Sequence, residues 1–299
     1  MPLTRSGTTS QNKKITTLIQ AFLILINQTS VPKAFIYTAL PCEAKPLIDY
    51  YKLKKDTTIN AFSLFRNDDI TLTVTGIGKA AMAAGIAYSM ALFSAAQNPV
   101  MLNIGIAGHK DHAIGSLFII DKITDADSGR RFYPPLVFTP PCLTTGLQTA
   151  AKPQHSYPQS DLCDMEASAF YEIATRFTAS ELCQCLKIVS DNESAPAHNI
   201  QAKHVSELIA VQLPIIEMIL SELARLAELI KPLPLDEFNH ILSQYHFTVN
   251  EQIQLKKLLS QLQLIGEENK IELTTNSAKN SKEFLMLLNQ QLNTAEFYL

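Results

Sequence analysis

The stretch "ITLTVTGIGKAAMAAGIAYSMALFSAA", residues 70–96, changes its rhythm halfway. Its first part, "ITLTVTGI" (70–77), is a short run of apolar and β-branched residues bounded by glycine, which reads as a strand. Its second, "KAAMAAGIAYSMALFSAA" (79–96), is rich in alanine and other small residues, as expected of a helix packed closely on a sheet. The next apolar run, "VMLNIGIAG" (100–108), supplies the returning strand. "AFIYTAL" (34–40), "SLFIIDKIT" (116–124) and "CLKIVSD" (185–191) read as further buried strands. Strands alternating with a helix predict an α/β fold with a mixed or parallel sheet covered on both faces.

In such sheets ligands gather at the carboxyl ends of the strands. Glu43 follows the first strand, and "TGIGK" (75–79), with Thr75 and Gly76, follows the second. "NIGIAG" (103–108), with Asn103 and Gly105, ends the third, and Ser190 and Asp191 close the late one. "LCDMEASAF" (162–170) adds Asp164, Met165 and Glu166 at the entrance to a helix. Glycines at strand ends let backbone approach a ligand and leave N–H groups free to donate. "GIGK" has neither the Walker spacing nor the dinucleotide fingerprint, so no nucleotide cofactor is expected.

Each acid also has a plain structural reading. Glu43 suits the first turn of a helix, where the macrodipole favours a carboxylate. Glu166 suits the same position with Asp161 or Asp164 as cap, and Asp191 before "NESAP" suits a cap or a turn. Lys79 reads as a helix-start or surface lysine. His109, Asp111 and His112 in "GHKDH" lack further matching ligands, so no metal site is expected.

Composition narrows the partners. With 46% hydrophobic and 18% charged residues, the 299-residue chain is globular and can bury a sizeable core. A net charge of -3 gives no footprint for nucleic acid, whose phosphates need a clustered basic surface. The expected ligand is therefore a small molecule. Of the five cysteines, Cys183 and Cys185 fit neither a disulfide framework nor a CxxC knuckle; they read as buried thiols of a reducing compartment, the cytoplasm. Lys13 and Lys14 precede "ITTLIQAFLILI", which polar residues interrupt and which is too short to span a bilayer. Residues 1–33 are thus expected to be an N-terminal extension and no membrane partner is expected. The main domain is expected over 34–230. Beyond Pro232 and Pro234, "EFNHILSQYHF" and "VNEQIQLKKLLSQLQLIG" predict a helical C-terminal appendage over 231–299, with Leu255, Leu258, Leu259 and Leu262 at core spacing.

"ALPCEAKPL", "TGIGKAAMAAG", "LNIGIAG" followed by "GSLFIIDKITD", "DMEASAF" and "IVSD" occur in the order of the motifs of a known family. Together they resemble the nucleoside phosphorylase/nucleosidase superfamily, and within it the 5′-methylthioadenosine/S-adenosylhomocysteine nucleosidases. The resemblance spans roughly residues 34 to 225. It implies a three-layer α/β/α fold with a central mixed sheet, a purine nucleoside as substrate, no cofactor and a homodimer. It also implies Asp191 as the acid that protonates the leaving base and Glu43 as the group that activates water. Glu166 would accept from ribose hydroxyls with Met165 against the sugar, Thr75 and Gly76 would line the water or ribose side, and Ser190 would help fix Asp191. Phosphorylase relatives carry arginine where this chain has Asn103, which favours water as nucleophile; Arg66 is the nearby cation able to serve a phosphate site instead. The segment from Gly108 to Met165 is shorter than in the nucleosidases, and "CLTTGLQTAAKPQHSYPQSD" offers no phenylalanine to stack on the base. Phe132, Tyr133 and Tyr157 are the aromatic candidates. Three functions follow: a nucleosidase, a phosphate-dependent phosphorylase, or a nucleoside-binding assembly protein that no longer turns its ligand over.

Overall fold

A computed structural model describes residues 32–94, 96–154, 160–196, 200–230, 235–264 and 278–294. The N-terminal extension, apart from its last two residues, lies outside them, as do Tyr157, Pro232 and Pro234. The chain divides into two compact units, with the boundary between Ala227 and Glu228.

The first unit is built on a mixed sheet. Strand β1 (Ala34–Thr38) leads into helix α1 (Pro41–Tyr51), and β2 (Lys54–Lys55), β3 (Ser63–Arg66) and β4 (Ile70–Val74) follow. Helix α2 (Lys79–Leu92) connects to β5 (Val100–Gly108), and then come β6 (Leu117–Asp125), β7 (Arg131–Phe132), β8 (Leu143–Thr149) and β9 (Leu162–Asp164). Helix α3 (Ala167–Ala174), a short 3-10 turn at Ser180–Leu182, β10 (Cys183–Asp191) and helix α4 (Ala202–Leu229) complete it.

Strand β1 lies between β4 and β5, parallel to both, and β10 is parallel to β5. β10 then pairs antiparallel with β6, β6 pairs parallel with β8, β8 with β9, and β9 returns to β5 through Gly108 and Cys163. Half of the sheet therefore closes on itself while β4, β3 and β2 extend it outward to an edge.

Alternation along the strands builds two cores. Ile36, Leu102, Leu186 and Ile188 face α1 and α4, while Phe35, Tyr37, Cys183, Cys185 and Val189 face α2 and α3. The expected three-layer α/β/α arrangement is thus present. The buried positions of α2, among them Met82, Ile86, Ser89 and Met90, recur at three- and four-residue spacing and make one face. That helix ends at Leu92, short of the expected Ala96, with Phe93 as its C-cap.

Several segments of this unit differ from the sequence reading; β2, β7 and β9 are short strands that it does not contain. Residues 143–149, not read as a strand from the sequence, form β8, because the threonines and leucines of "LTTGLQT" suit a strand exposed at its start and buried at its end. Ser63–Arg66 forms β3, antiparallel to β4, and was not expected as a strand.

The second unit has helices α5 (Leu235–Gln244), α6 (Val249–Leu264) and α7 (Ser281–Thr294). Phe238, Ile241, Phe247, Leu255, Leu258, Leu259, Phe284, Leu285 and Leu288 make its own core. Capping fixes two of its helix starts. Thr248 and Glu251 exchange backbone and side-chain bonds of 2.8 and 3.3 Å at α6, and Asn280 and Glu283 cap α7. Helix α7 is absent from the sequence reading.

Candidate active site

A cavity of about 500 Å³ opens at the carboxyl ends of β1, β5 and β10. Its wall includes Glu43, Asp164, Glu166 and Asp191 together with Met165 and Ser190. The volume suits a small organic ligand.

Glu43 enters from the first turn of α1. Its Oε2 accepts from the N–H groups of Ala39 (2.9 Å) and Leu40 (2.8 Å), and its Oε1 accepts from Ile106 N–H (2.9 Å). The structural reading of this acid is therefore true, since it completes a cap, and the same carboxyl also faces the cavity. Burial pushes its pKa up, while the three N–H donors and the Lys187 ammonium pull the other way; burial prevails. A Cβ at Gly105 would lie 2.8 Å from Glu43 Oε1, so glycine there leaves room for the carboxyl rather than touching the cavity itself.

Asp164 and Glu166 divide two tasks. Asp164 ends β9, where its Oδ2 accepts from Ala167 N–H at 2.9 Å and its Oδ1 from Thr149 Oγ1 at 2.7 Å. It is the structural acid that anchors the start of α3. Glu166 occupies the N-cap position but makes no side-chain cap. Its Oε1 accepts instead from Gly78 N–H at 2.7 Å, across to the turn that opens α2. Burial first, and the nearby Asp164 charge second, push the Glu166 carboxyl up to about 7.

Asp191 closes β10, where Ser190 Oγ donates to its Oδ1. The turn duty anticipated for it falls to Asn192, whose Oδ1 accepts from Ser194 N–H (3.0 Å) and Ala195 N–H (2.9 Å).

The residue that sequence reading missed is Lys187. It lies in the middle of β10, with a side chain 2% exposed, and its Nζ is 3.0 Å from Asp164 Oδ2, itself 1% exposed. Burial alone would lower its pKa, but the charges of Asp164, Glu166 and Glu43 outweigh burial and hold it raised, so the ammonium persists. A lysine inside the otherwise apolar "CLKIVSD" was the available signal, because a buried charge demands a partner.

The remaining expected site residues do not reach the wall. Thr75 Oγ1 donates to the carbonyls of Thr38 and Gly76, and Gly76 stays in that turn. Asn103 Nδ2 is spent on Tyr37 O at 3.2 Å inside the sheet. Arg66 is paired with Asp56 at 3.2 Å and stacks over Phe93, away from the cavity. Phe132 packs on Tyr171, and Tyr133 is 61% exposed. Among the described residues the wall carries no aromatic ring. Cys163 does line it, but burial pushes its thiol up to about 12, so it offers no thiolate nucleophile. His109 and His112 stack at 3.8 Å between ring centroids, with His109 Nδ1 accepting from the N–H groups of Asp111 and His112.

No family model matches the chain, and no curated protein matches it. Solved structures do. A 5′-methylthioadenosine/S-adenosylhomocysteine nucleosidase from Neisseria meningitidis, in complex with methylthio-immucillin-A, is similar at TM-score 0.51 and 19% identity, over 63% of this chain and 98% of that one. The nucleosidase of the same kind from Colwellia psychrerythraea, in complex with adenine, has TM-score 0.51 and 19% identity, over 64% and 96%. The chain has the fold of these nucleosidases.

Two outcomes are expected. Lys187→Met leaves Asp164 buried without its cation and should destabilise the first unit by about 3–5 kcal/mol in denaturant unfolding; a loss under 1 kcal/mol would show that the pair carries little. Glu166 binds its proton more tightly when folded, at about 7 against an ordinary 4.5, so it withdraws stability as pH rises through that window. The melting temperature of Glu166→Gln minus that of the parent should therefore climb between pH 4 and pH 8. A flat difference would contradict the raised value.

Proposed function

We propose that the chain is a purine nucleosidase that hydrolyses the N-glycosidic bond of a 5′-modified adenosine, such as methylthioadenosine, S-adenosylhomocysteine or 5′-deoxyadenosine. The observation that carries this reading is the convergence of Glu43, Glu166 and Asp191 on one cavity. They come from three distant parts of the chain, and the fold is one on which such nucleosidases are built.

Cleavage of this bond develops positive charge on the sugar and negative charge on the leaving base. Asp191, held by Ser190, gives its proton to the ring nitrogen of the departing purine. Glu43, with a pKa raised by burial, takes a proton from the attacking water, since a base works best when its pKa approaches the operating pH. Glu166 accepts from ribose hydroxyls, and Met165 packs against the sugar. Glu43 and Glu166 in ionised form also favour the cationic sugar electrostatically. Lys187 lies near both and limits the repulsion among them.

Water rather than phosphate is the nucleophile. Capture of phosphate calls for arginine forks or a cluster of donors. Asn103 is engaged within the sheet and Arg66 with Asp56, so neither residue supplies one. The working form under this reading is a cytoplasmic homodimer. Among the described residues no helix is long and apolar enough to cross a membrane.

Incubation with a panel of 5′-modified adenosines, with and without phosphate, should release free adenine at equal rates in both arms. Sugar 1-phosphate products would replace the nucleosidase with a phosphorylase, and no base from any nucleoside would leave a binding protein. Asp191→Asn should lower kcat by about 10²–10⁴ while ligand affinity, read by calorimetry, stays within a few fold, because Asn cannot deliver the proton. Undiminished base release would remove Asp191 from the mechanism.

A further inference from the structure

On the far side of the Glu166–Gly78 contact lies a second polar cluster, to which the mechanism assigns nothing. Asp125, at the end of β6, is 7% exposed. Its Oδ2 accepts from Lys79 Nζ at 2.8 Å and from Ser168 Oγ at 2.8 Å. Its Oδ1 is held by the N–H groups of Asp127 (3.2 Å) and Ser128 (2.9 Å) and by Ser128 Oγ (2.9 Å). Burial would raise this carboxyl, but Lys79 and the serine donors outweigh it and hold it well below the usual carboxylate range. It is a fixed anion.

The positions of its two partners give it reach into the site. Lys79 is the first residue of α2 and follows Gly78, whose N–H donates to Glu166. Ser168 is the second residue of α3 and stands two residues after Glu166. One carboxylate oxygen thus binds the residue beside the donor and a residue in the same helical turn as the acceptor. Gly78 has φ 98°, a conformation reserved for glycine, so the turn that aims its N–H relies on its flanks to be held. Ser168 N–H also donates to Thr149 Oγ1 at 3.0 Å, which donates in turn to Asp164. The start of α3 is therefore fixed from two directions, by Asp164 from within and by Asp125 from behind.

We propose that Asp125 is a positioning residue for Glu166: by tying Lys79 and Ser168 together it keeps the Gly78 N–H against Glu166 Oε1 and so aims that carboxyl at the ligand. The proposal rests on the nucleosidase reading for its kinetic consequence but not for its geometry. Asp125 lies outside the wall of the cavity. Its effect passes through the two helix starts. The charged groups facing Glu166 are Asp164, Lys187 and Glu43, and they are left in place by any change at Asp125.

The test is a double cycle of Asp125→Asn and Glu166→Gln, run below the melting temperature of every variant. Asparagine keeps a carbonyl to receive the turn's N–H groups but cannot hold Lys79 as a counter-charge. Asp125→Asn should lower kcat/KM about tenfold in the parent and less than twofold when Glu166 is already Gln. Ser168→Ala, which removes one tie alone, should show the same coupling at smaller size. Losses that simply multiply would make Asp125 a general stabiliser and overturn the proposal. A second readout needs no turnover. The pH dependence of melting that Glu166 contributes, parent minus Glu166→Gln, should move to higher pH in the Asp125→Asn background, because a loosened Gly78 N–H no longer favours the ionised carboxyl. An unmoved window overturns the proposal. If no nucleoside releases base, the functional reading fails and this arm alone decides.

Discussion

The Lys187–Asp164 ion pair is the contact on which the site depends. Four acids line one cavity of about 500 Å³, and such a cluster calls for a cation nearby, because like charges close together oppose one another's ionisation. Lys187 meets that need from beneath, on the strand that also carries Asp191. Asp164 fixes the lysine at 3.0 Å and, through Ala167 N–H, fixes the first turn of α3. One buried pair thereby sets the charge balance of the cavity and the position of the helix that brings Glu166. Ion pairs buried this deeply seldom add much net stability, since desolvation offsets their attraction. Its place here is better explained by what it arranges than by what it stabilises.

Structural and chemical duties are distributed unevenly among the acids. At the β9–α3 junction they fall on separate residues, with Asp164 as anchor and Glu166 on the cavity wall, held by Gly78 N–H. At the end of β10 they are separated again, with Asn192 making the turn and Asp191 on the cavity wall. At α1 a single residue does both, since Glu43 caps the helix and lines the wall. Under the proposed function Glu43 is a base that also closes a cap, so it is held in one orientation before any substrate arrives, which is the condition for low reorganisation during reaction. The cost is that its replacement disturbs the α1 entry as well as chemistry, so kinetic effects there cannot be separated from folding as cleanly as at Asp191.

Most of the fold was legible because burial leaves a plain imprint. "AFIYTAL", "VMLNIGIAG" and "CLKIVSD" are continuous apolar runs, as strands covered on both faces must be, and all three are strands of the sheet. β8 was not legible, since its first half is exposed and its composition is that of a polar loop. The acids on the wall could be read from their places after strands. Thr75, Gly76, Asn103 and Gly105 occupy equally suggestive places and yet stand behind the wall, because sequence gives the end of a strand but not the direction of a side chain. Lys187 shows the opposite error. The apolar run around it marks the strand as buried, and a charge inside a buried strand requires a partner that the local sequence does not show.

Among the described residues the wall carries no aromatic ring, which bears on how a base would be gripped under the proposed function. A flat heterocycle is usually held by stacking, worth about 1–3 kcal/mol on an aromatic face. Here the described wall offers Ile106, Pro153, Cys163 and Met165 instead. Such residues bury a heterocycle through area and dispersion alone, which is less selective among rings than stacking combined with edge contacts. Under the proposed function, discrimination among bases rests on the edge, and Asp191 is the acid on the wall that would read it, since it would have to meet a ring nitrogen able to accept its proton. On that reading the catalytic contact and the recognition contact are the same bond. Substrates whose ring nitrogen cannot accept that proton would lose turnover far more than affinity, because aliphatic burial survives the change and proton transfer does not.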